Sequence, residues 1–335
     1  MTPGARTALL RRLCGEQGIE RVGVAAAGPT GEAARLEEWL GRGYHGGMAW
    51  MARWREKRTD PRELVPGARA VVSVALNYYR PAPRDPGDGE GRVARYAWAE
   101  DYHRVLRDKL RAVLAGLRDA EPNLGGRAFV DSAPLQEKLW AERAGVGWRG
   151  KSTNLITKDL GSWIVLGELV LDRELVADAP HADHCGTCTR CLDACPTGAI
   201  VEPWVLDARR CLSYLTIEHR GELPGEFADD MREWVFGCDV CQEVCPWNVK
   251  HATPATEARL APRLAQVALD LAEAAELDDA AFHARFADAA ISRARPEGLR
   301  RNARAILEAR TRAADGTPRD PRGEGRGAPA GVGAP

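Results

Sequence analysis

The chain has 335 residues, 44% of them apolar and 28% charged, enough to bury at least one sizeable core and to build two or three domains. Its net charge of −1 supplies no global basic field for nucleic acid, so any such contact must come from a local patch. The most apolar stretch, residues 161–171, is broken by Glu168 and is far shorter than the roughly 18 to 20 residues of a membrane-spanning helix, and Arg11-Arg12 lead into Gly15, Glu16, Glu20 and Arg21 rather than an apolar export signal, so a cytoplasmic protein with no membrane contact is expected.

Hydrophobic spacing predicts helices over 5–17 and 32–40, an extended segment over 20–26 and a Val-rich buried strand over 70–76. Cys14, inside the first of these helices, reads as a buried inert thiol. The Pro/Gly-rich stretch 81–91 reads as a surface loop, and helical patterning resumes over 102–117. This alternation predicts a mixed α/β domain. Next, a short extended run over 127–131 ends in Asp131, and a helix is expected over 134–144 with Pro134 in its first turn. Asp131 therefore stands where a strand hands over to a helix, a common place for active-site groups, although capping the helix is an equally good reading.

Residues 145–152 satisfy the P-loop expression G-x-x-x-x-G-K-S letter for letter. A P-loop follows a strand and opens a helix, whereas this stretch follows a helical pattern and leads into Thr153-Asn154-Leu155. ATP binding is therefore not expected, while exposed backbone N–H groups with Lys151 and Ser152 suit another polar cofactor.

Nine cysteines in a cytoplasmic chain argue for metal or redox chemistry, because reducing conditions disfavour structural disulfides. Eight of them lie between Cys185 and Cys245. The run Cys185-x-x-Cys188-x-x-Cys191-x-x-x-Cys195-Pro196 is that of bacterial two-cluster ferredoxins. A second run, Cys238-x-x-Cys241-x-x-x-Cys245-Pro246, lacks the Cys expected at Val235, and Cys211 is the available replacement. Since the Cys before Pro ligates the other cluster in such proteins, one [4Fe-4S] cluster takes Cys185, Cys188, Cys191 and Cys245, and the other takes Cys195, Cys211, Cys238 and Cys241. Paired Cys-x-x-Cys units also suit two structural zinc sites, but zinc does not need the Cys-Pro endings.

Beyond the clusters, residues 293–312 hold seven arginines against Glu297 and Glu308, with Leu299, Ala303, Ile306 and Leu307 at helical spacing. This is a basic amphipathic helix, suited either to phosphate contact or to a solvated surface. The Gly/Pro/Arg-rich tail 315–335 is expected to be disordered.

Tyr96-Ala-Trp98, Asp101-Tyr102-His103, Val130-Asp131, Gly147-Trp148-Arg-Gly150-Lys151, Gly161-Ser162-Trp163, Gly167-Glu168 and the cysteine pattern, in this order, resemble the epoxyqueuosine reductase family. The resemblance implies a nitroreductase-like cobalamin-binding α/β domain over 1–176, akin to that of reductive dehalogenases. A ferredoxin-like domain with two [4Fe-4S] clusters over 177–252 and a truncated HEAT-like helical region over 253–314 would follow. It implies reduction of epoxyqueuosine at the tRNA wobble position to queuosine, with cobalt resting as cob(II)alamin and active as cob(I)alamin. It also implies an external low-potential electron donor and a monomeric protein. Asp131 matches the family's proton donor, and burial beneath a corrin is expected to keep its carboxyl protonated. Tyr96, His103, Trp148, Lys151, Ser152, Asn154, Ser162 and Ser213 fall in stretches that line the corrin or substrate. Arg295, Arg300, Arg301 and Arg304 would contact tRNA. Leu106 stands where a cobalt-ligating D-x-H-x-x-G motif has glycine, so no histidine is expected on the cobalt. A reductive dehalogenase and a cluster-only electron carrier are the alternatives; the absent export signal disfavours the first and the long N-terminal domain the second.

Overall fold

A computed structural model describes residues 1–231 and 233–315; the predicted disorder of the tail falls, from residue 316 on, outside the described residues. The first helix, α1 (Pro3–Glu16), starts at Thr2, whose hydroxyl accepts from the Ala5 N–H. Strand β1 (Arg21–Ala26) follows, then α2 (Ala33–Gly41) and β2 (Ala70–Asn77), whose every residue is buried. A short strand β3 (Glu90–Val93) leads to the long helix α3 (Tyr102–Ala120). Then come β4 (Gly126–Phe129), α4 (Glu137–Arg143) and β5 (Ile164–Leu171).

The strands assemble into a four-stranded antiparallel sheet of order β1-β2-β5-β4. Alternation along β5 splits the core in two: Val165, Leu169 and Leu171 pack with α1 and α3, whereas Leu166 and Val170 pack with Trp140 and Ala141 of α4. Fully buried Cys14 belongs to the first of these layers, and burial pushes its thiol up to about 12, as befits an inert side chain. Pro134 lies ahead of α4 rather than in its first turn, because a tight turn after Asp131 delays the helix to Glu137.

The cysteine-bearing segment is short helices and tight turns: α5 (Arg190–Asp193), α6 (Leu212–Ile217), β6 (Trp234–Phe236), α7 (Val240–Glu243) and α8 (Pro246–His251). It is interlocked with what precedes and follows it. Strand β3 pairs in parallel with β6 and antiparallel with β7 (Ala268–Asp270), and the final helix α9 (Arg295–Ala314) buries Leu299, Ala303 and Ile306 in the same core as Val93, Trp98 and Phe236. Buried Asp239 accepts from the Arg95 backbone N–H at 2.8 Å, and Arg95 reaches Glu243 at 2.7 Å. Gly161 makes a second seam. With φ +66° and no Cβ, it leaves room for Asn248 Oδ1, which accepts from Ser162 N at 2.6 Å. These contacts fix the cysteine segment against the open end of the sheet.

Candidate active site and electron-transfer centre

Asp131 follows the end of β4 with φ +52°, a left-handed conformation unfavourable for a residue with a Cβ. Its backbone N–H donates to Glu137 Oε1 at 2.5 Å, which holds the turn. The side chain does not cap α4, whose first position has no side-chain cap; it points instead toward α3. There Tyr102 Oη donates to Asp131 Oδ2 at 3.0 Å and His103 Nε2 lies 3.1 Å from the same oxygen. On the other side of the imidazole, His103 Nδ1 is 2.6 Å from Asp101 Oδ1, and Asp101 also caps α3 through the His103 N–H. A cap residue thus doubles as the group that orients the imidazole.

With a carboxylate at each nitrogen, the imidazolium is the form that satisfies both contacts. Burial alone would lower the His103 pKa, but the hydrogen bonds to Asp101 and Asp131 outweigh it and raise it to about 9. For Asp131 burial acts in the opposite sense and again loses, because His103 and Tyr102 hold its carboxyl below its ordinary value. Its side chain remains 58% accessible because it faces an open cavity, and at neutral pH the shared proton rests on His103.

That cavity has a volume of about 420 Å³ and a mostly apolar lining. One end carries Asp131, Tyr96 and Tyr102; Ser152, Asn154, Ser162 and Ser213 stand on its walls. Cys195, Cys211, Cys238 and Cys241 line the same cavity. A smaller cavity of about 150 Å³ is lined by Cys185, Cys188, Cys191 and Cys245, and also by Cys241. The structure therefore brings together the two sets of four that the Cys-Pro rule separates. Burial raises the thiol pKa of Cys191 to about 11 and pushes Cys238 and Cys241 well up. Thiols so desolvated become thiolates only with a strongly cationic guest, which an iron–sulfur core supplies.

The structure places Lys151 and Trp148 elsewhere than the larger cavity. Lys151 Nζ donates to the backbone oxygens of Gly186 (2.6 Å) and Cys188 (3.0 Å), tying the first cysteine loop to the sheet domain. Fully buried Trp148 packs edge-on against Trp247 and His184, and burial raises the thiol pKa of Cys185 beside them. The apparent P-loop is in fact a tight hairpin pairing Trp148–Arg149 with Leu155–Ile156. Asn154, by contrast, spans both functions: it lines the large cavity and its Nδ2 is 3.7 Å from Cys241 Sγ.

The arginines of α9 are largely engaged within the chain. Arg301 donates to the carbonyl oxygens of Leu215, His219 and Gly221. Arg300 is held by Leu277 O and Asp279, and Arg304 by Glu276. Arg295 begins the helix with φ +63° beside Arg220. Within the chain the guanidinium of Arg301 is a structural clasp. Arg301→Ala is expected to cost about 2 to 3 kcal/mol of stability by orphaning those carbonyls, measured by denaturant unfolding, with tRNA affinity of the folded fraction unchanged.

Sequence reasoning passed over Asp101 as the His103 partner, Tyr102 as a donor to Asp131, and the Glu137, Lys138 and Glu168 side chains near it. Lys138 lines the cavity and donates to Asn154 Oδ1 at 3.4 Å, and the protein around it lowers its pKa. The Asp-Tyr-His triplet at a helix start was the one available signal.

Residues 184–248 match a family model described as the 4Fe-4S double cluster binding domain, and residues 58–132 match one described as epoxyqueuosine reductase QueG, DUF1730. The epoxyqueuosine reductase of Synechocystis sp. is 50% identical over 277 residues, covering 82% of this chain and 95% of the relative. That of Gloeobacter violaceus is 46% identical over 298 residues, covering 87% and 92%. Among solved structures, an epoxyqueuosine reductase with a tRNA-Tyr epoxyqueuosine-modified stem loop superposes with a TM-score of 0.83 at 31% identity, over 93% of this chain and 85% of that one. The Bacillus subtilis epoxyqueuosine reductase, captured with its catalytic loop swung out of the active site, gives 0.84 at 30% identity over 95% and 87%.

Proposed function

This chain belongs to the epoxyqueuosine reductase family, and on that premise we propose how its residues divide the work of reducing epoxyqueuosine in tRNA to queuosine. The reaction removes the epoxide oxygen as water and consumes two electrons and two protons. One observation carries the reading: Asp131 and four thiols, Cys195, Cys211, Cys238 and Cys241, open onto the same cavity. Electron supply and proton supply meet there.

In this reading Cys185, Cys188, Cys191 and Cys245 hold the outer [4Fe-4S] cluster, and the other four hold the inner one. Cys241 lines both cavities, so the two sites adjoin, and clusters held there would supply a path for single electrons from an external low-potential donor. A mostly apolar chamber rimmed by hydroxyl and amide groups fits cobalamin, held by Tyr96, Ser152, Asn154, Ser162 and Ser213. When bound, cobalamin supplies a reducible cobalt centre that collects those electrons for delivery to carbon. The protein works as a cytoplasmic monomer, with the tRNA presenting its wobble nucleoside at the cavity mouth.

The chain's own chemistry is the proton. Asp101 fixes the imidazole of His103, whose Nε2–H is passed to Asp131 Oδ2 and from there to the opening epoxide oxygen. Since the His103 pKa is raised, the charged donor exists below about pH 9 and is lost above it. Turnover should therefore fall as pH rises through about 9, and His103→Gln should lower kcat by about 10- to 100-fold and erase that limb. Stability follows the same sign: the His103 contacts contribute fully below its unfolded pKa and are lost as pH rises through about 9. Reduced, cobalamin-loaded protein incubated with an epoxyqueuosine-containing tRNA stem loop tests the function, and nucleoside mass analysis should show loss of one oxygen. An unchanged nucleoside alongside turnover of an organohalide would reject it.

A further inference from the structure

Glu168 is the residue that the chemistry above leaves without a task. It lies in the middle of β5, flanked by Ser73 of β2 and Phe129 of β4, and its side chain is 0% exposed. Neither carboxyl oxygen has a hydrogen-bond partner, and the hydroxyl of Ser73, directly across the strand pair on the same face, has none either. Such a carboxylate would be costly enough to be selected against unless its charge were absent. As a neutral acid Glu168 brings its own proton to donate, and its acceptor is at hand in Glu137, which projects from α4 toward the same face.

Glu137 connects this buried acid to the active site and to water. Its Oε1 accepts from the Asp131 backbone N–H, it lines the large cavity, and it also lines a separate open recess on the outer side of Asp131, together with Glu32, Arg35 and Arg149. The titratable groups facing the pair are Asp131, His103 and Tyr102 at the cavity end and Lys138 on α4 itself, while β2 adds only Ser73. The His103 imidazolium is already paired with Asp101 and Asp131, and two further anions at this site would repel Asp131 and one another.

We propose that Glu137 and Glu168 form a buried carboxylic acid pair that stores the second proton of the reaction and recharges Asp131. This rests on the assignment of Asp131 as the group that protonates the substrate. The first proton leaves the His103–Asp131 pair, which then holds a neutral imidazole and a carboxylate. The Glu137 O–H bond breaks and an O–H bond forms on Asp131. The carboxylate left on Glu137 accepts a hydrogen bond from the Glu168 O–H, and a hydronium ion entering through the recess reprotonates Glu137 and leaves as water. Glu137 and Glu168 act through Asp131 and are positioning and relay residues.

Difference infrared spectroscopy of the protein without cofactor or substrate tests the storage. The expected result is a deuterium-sensitive carbonyl band of neutral carboxylic acid at pH 7, diminished in Glu168→Gln and in Glu137→Gln. That measurement stands or falls independently of the reaction assigned to Asp131. Burial pushes the Glu137 carboxyl up to about 8, so turnover should also show a shoulder near that pH. Glu137→Gln should remove the shoulder and lower steady-state turnover about tenfold or more, since the amide cannot release a proton. Absence of the band in the wild-type protein at pH 7, or an unaltered pH profile and turnover in Glu137→Gln, would overturn the proposal.

Discussion

Asp131→Asn is expected to lower kcat by about 10²- to 10⁴-fold while leaving cobalamin content and iron content unchanged. The substitution keeps the shape of the side chain and can keep its contact with Tyr102 Oη through the amide oxygen. That oxygen also faces His103 Nε2, but as an amide oxygen it is too weakly basic to take the imidazolium proton and hand it on. The substitution also removes the charge that helps raise the imidazole, so the alkaline limb of the pH profile should move down from about 9 toward the ordinary range of histidine. A variant with full turnover and an unmoved limb would show that the proton enters from another group on the cavity wall, such as Lys138.

Cys211→Ala should abolish turnover and lower the iron content from about eight to about four per chain, leaving a single [4Fe-4S] spectrum. Cys211 stands outside both Cys-Pro runs, and burial raises its thiol pKa, so on its own it would be an inert side chain. Its charge interactions are with Cys195, which precedes Pro196 in the first run, and it figures in those of Cys238 and Cys241. Cys245→Ala should likewise halve the iron, but by emptying the outer cavity, and the surviving signal should differ between the two variants. Identical residual spectra would mean that the cysteines are shared out differently.

Much of this was legible in the residue order. The extended runs of β1, β2 and β4 and the long helix α3 follow from apolar spacing, whereas β5 showed only as the most apolar stretch; the cysteine partition follows from a spacing rule. The position of Asp131 at a strand end was visible too. Its direction was not, because a left-handed backbone at Asp131 turns the carboxyl away from its own helix and toward residues 28 positions earlier. Lys151 sits in a sequence that looks cofactor-facing, yet a short hairpin aims it at the carbonyls of the cluster loop. Arg301 illustrates the same limit: helical spacing identifies a basic face, but only the packed neighbours decide whether a guanidinium meets phosphate or the chain's own carbonyls. Glu168 was counted merely as an interruption of an apolar run, because period-2 alternation says which face a residue takes and nothing about what waits there.

The most direct test of the account is to follow the clusters themselves. Anaerobically reduced, cobalamin-loaded protein is mixed with one equivalent of epoxyqueuosine-containing stem loop, and the reduced-cluster signal is read by electron paramagnetic resonance beside nucleoside mass. The account predicts that about two electrons leave the protein for each oxygen lost, consistent with the two-electron reaction, and that Asp131→Asn retains its reduced clusters in the presence of substrate. Oxygen loss with the cluster signal untouched, or equal drainage of electrons in Asp131→Asn, would contradict the convergence of both supplies on one cavity.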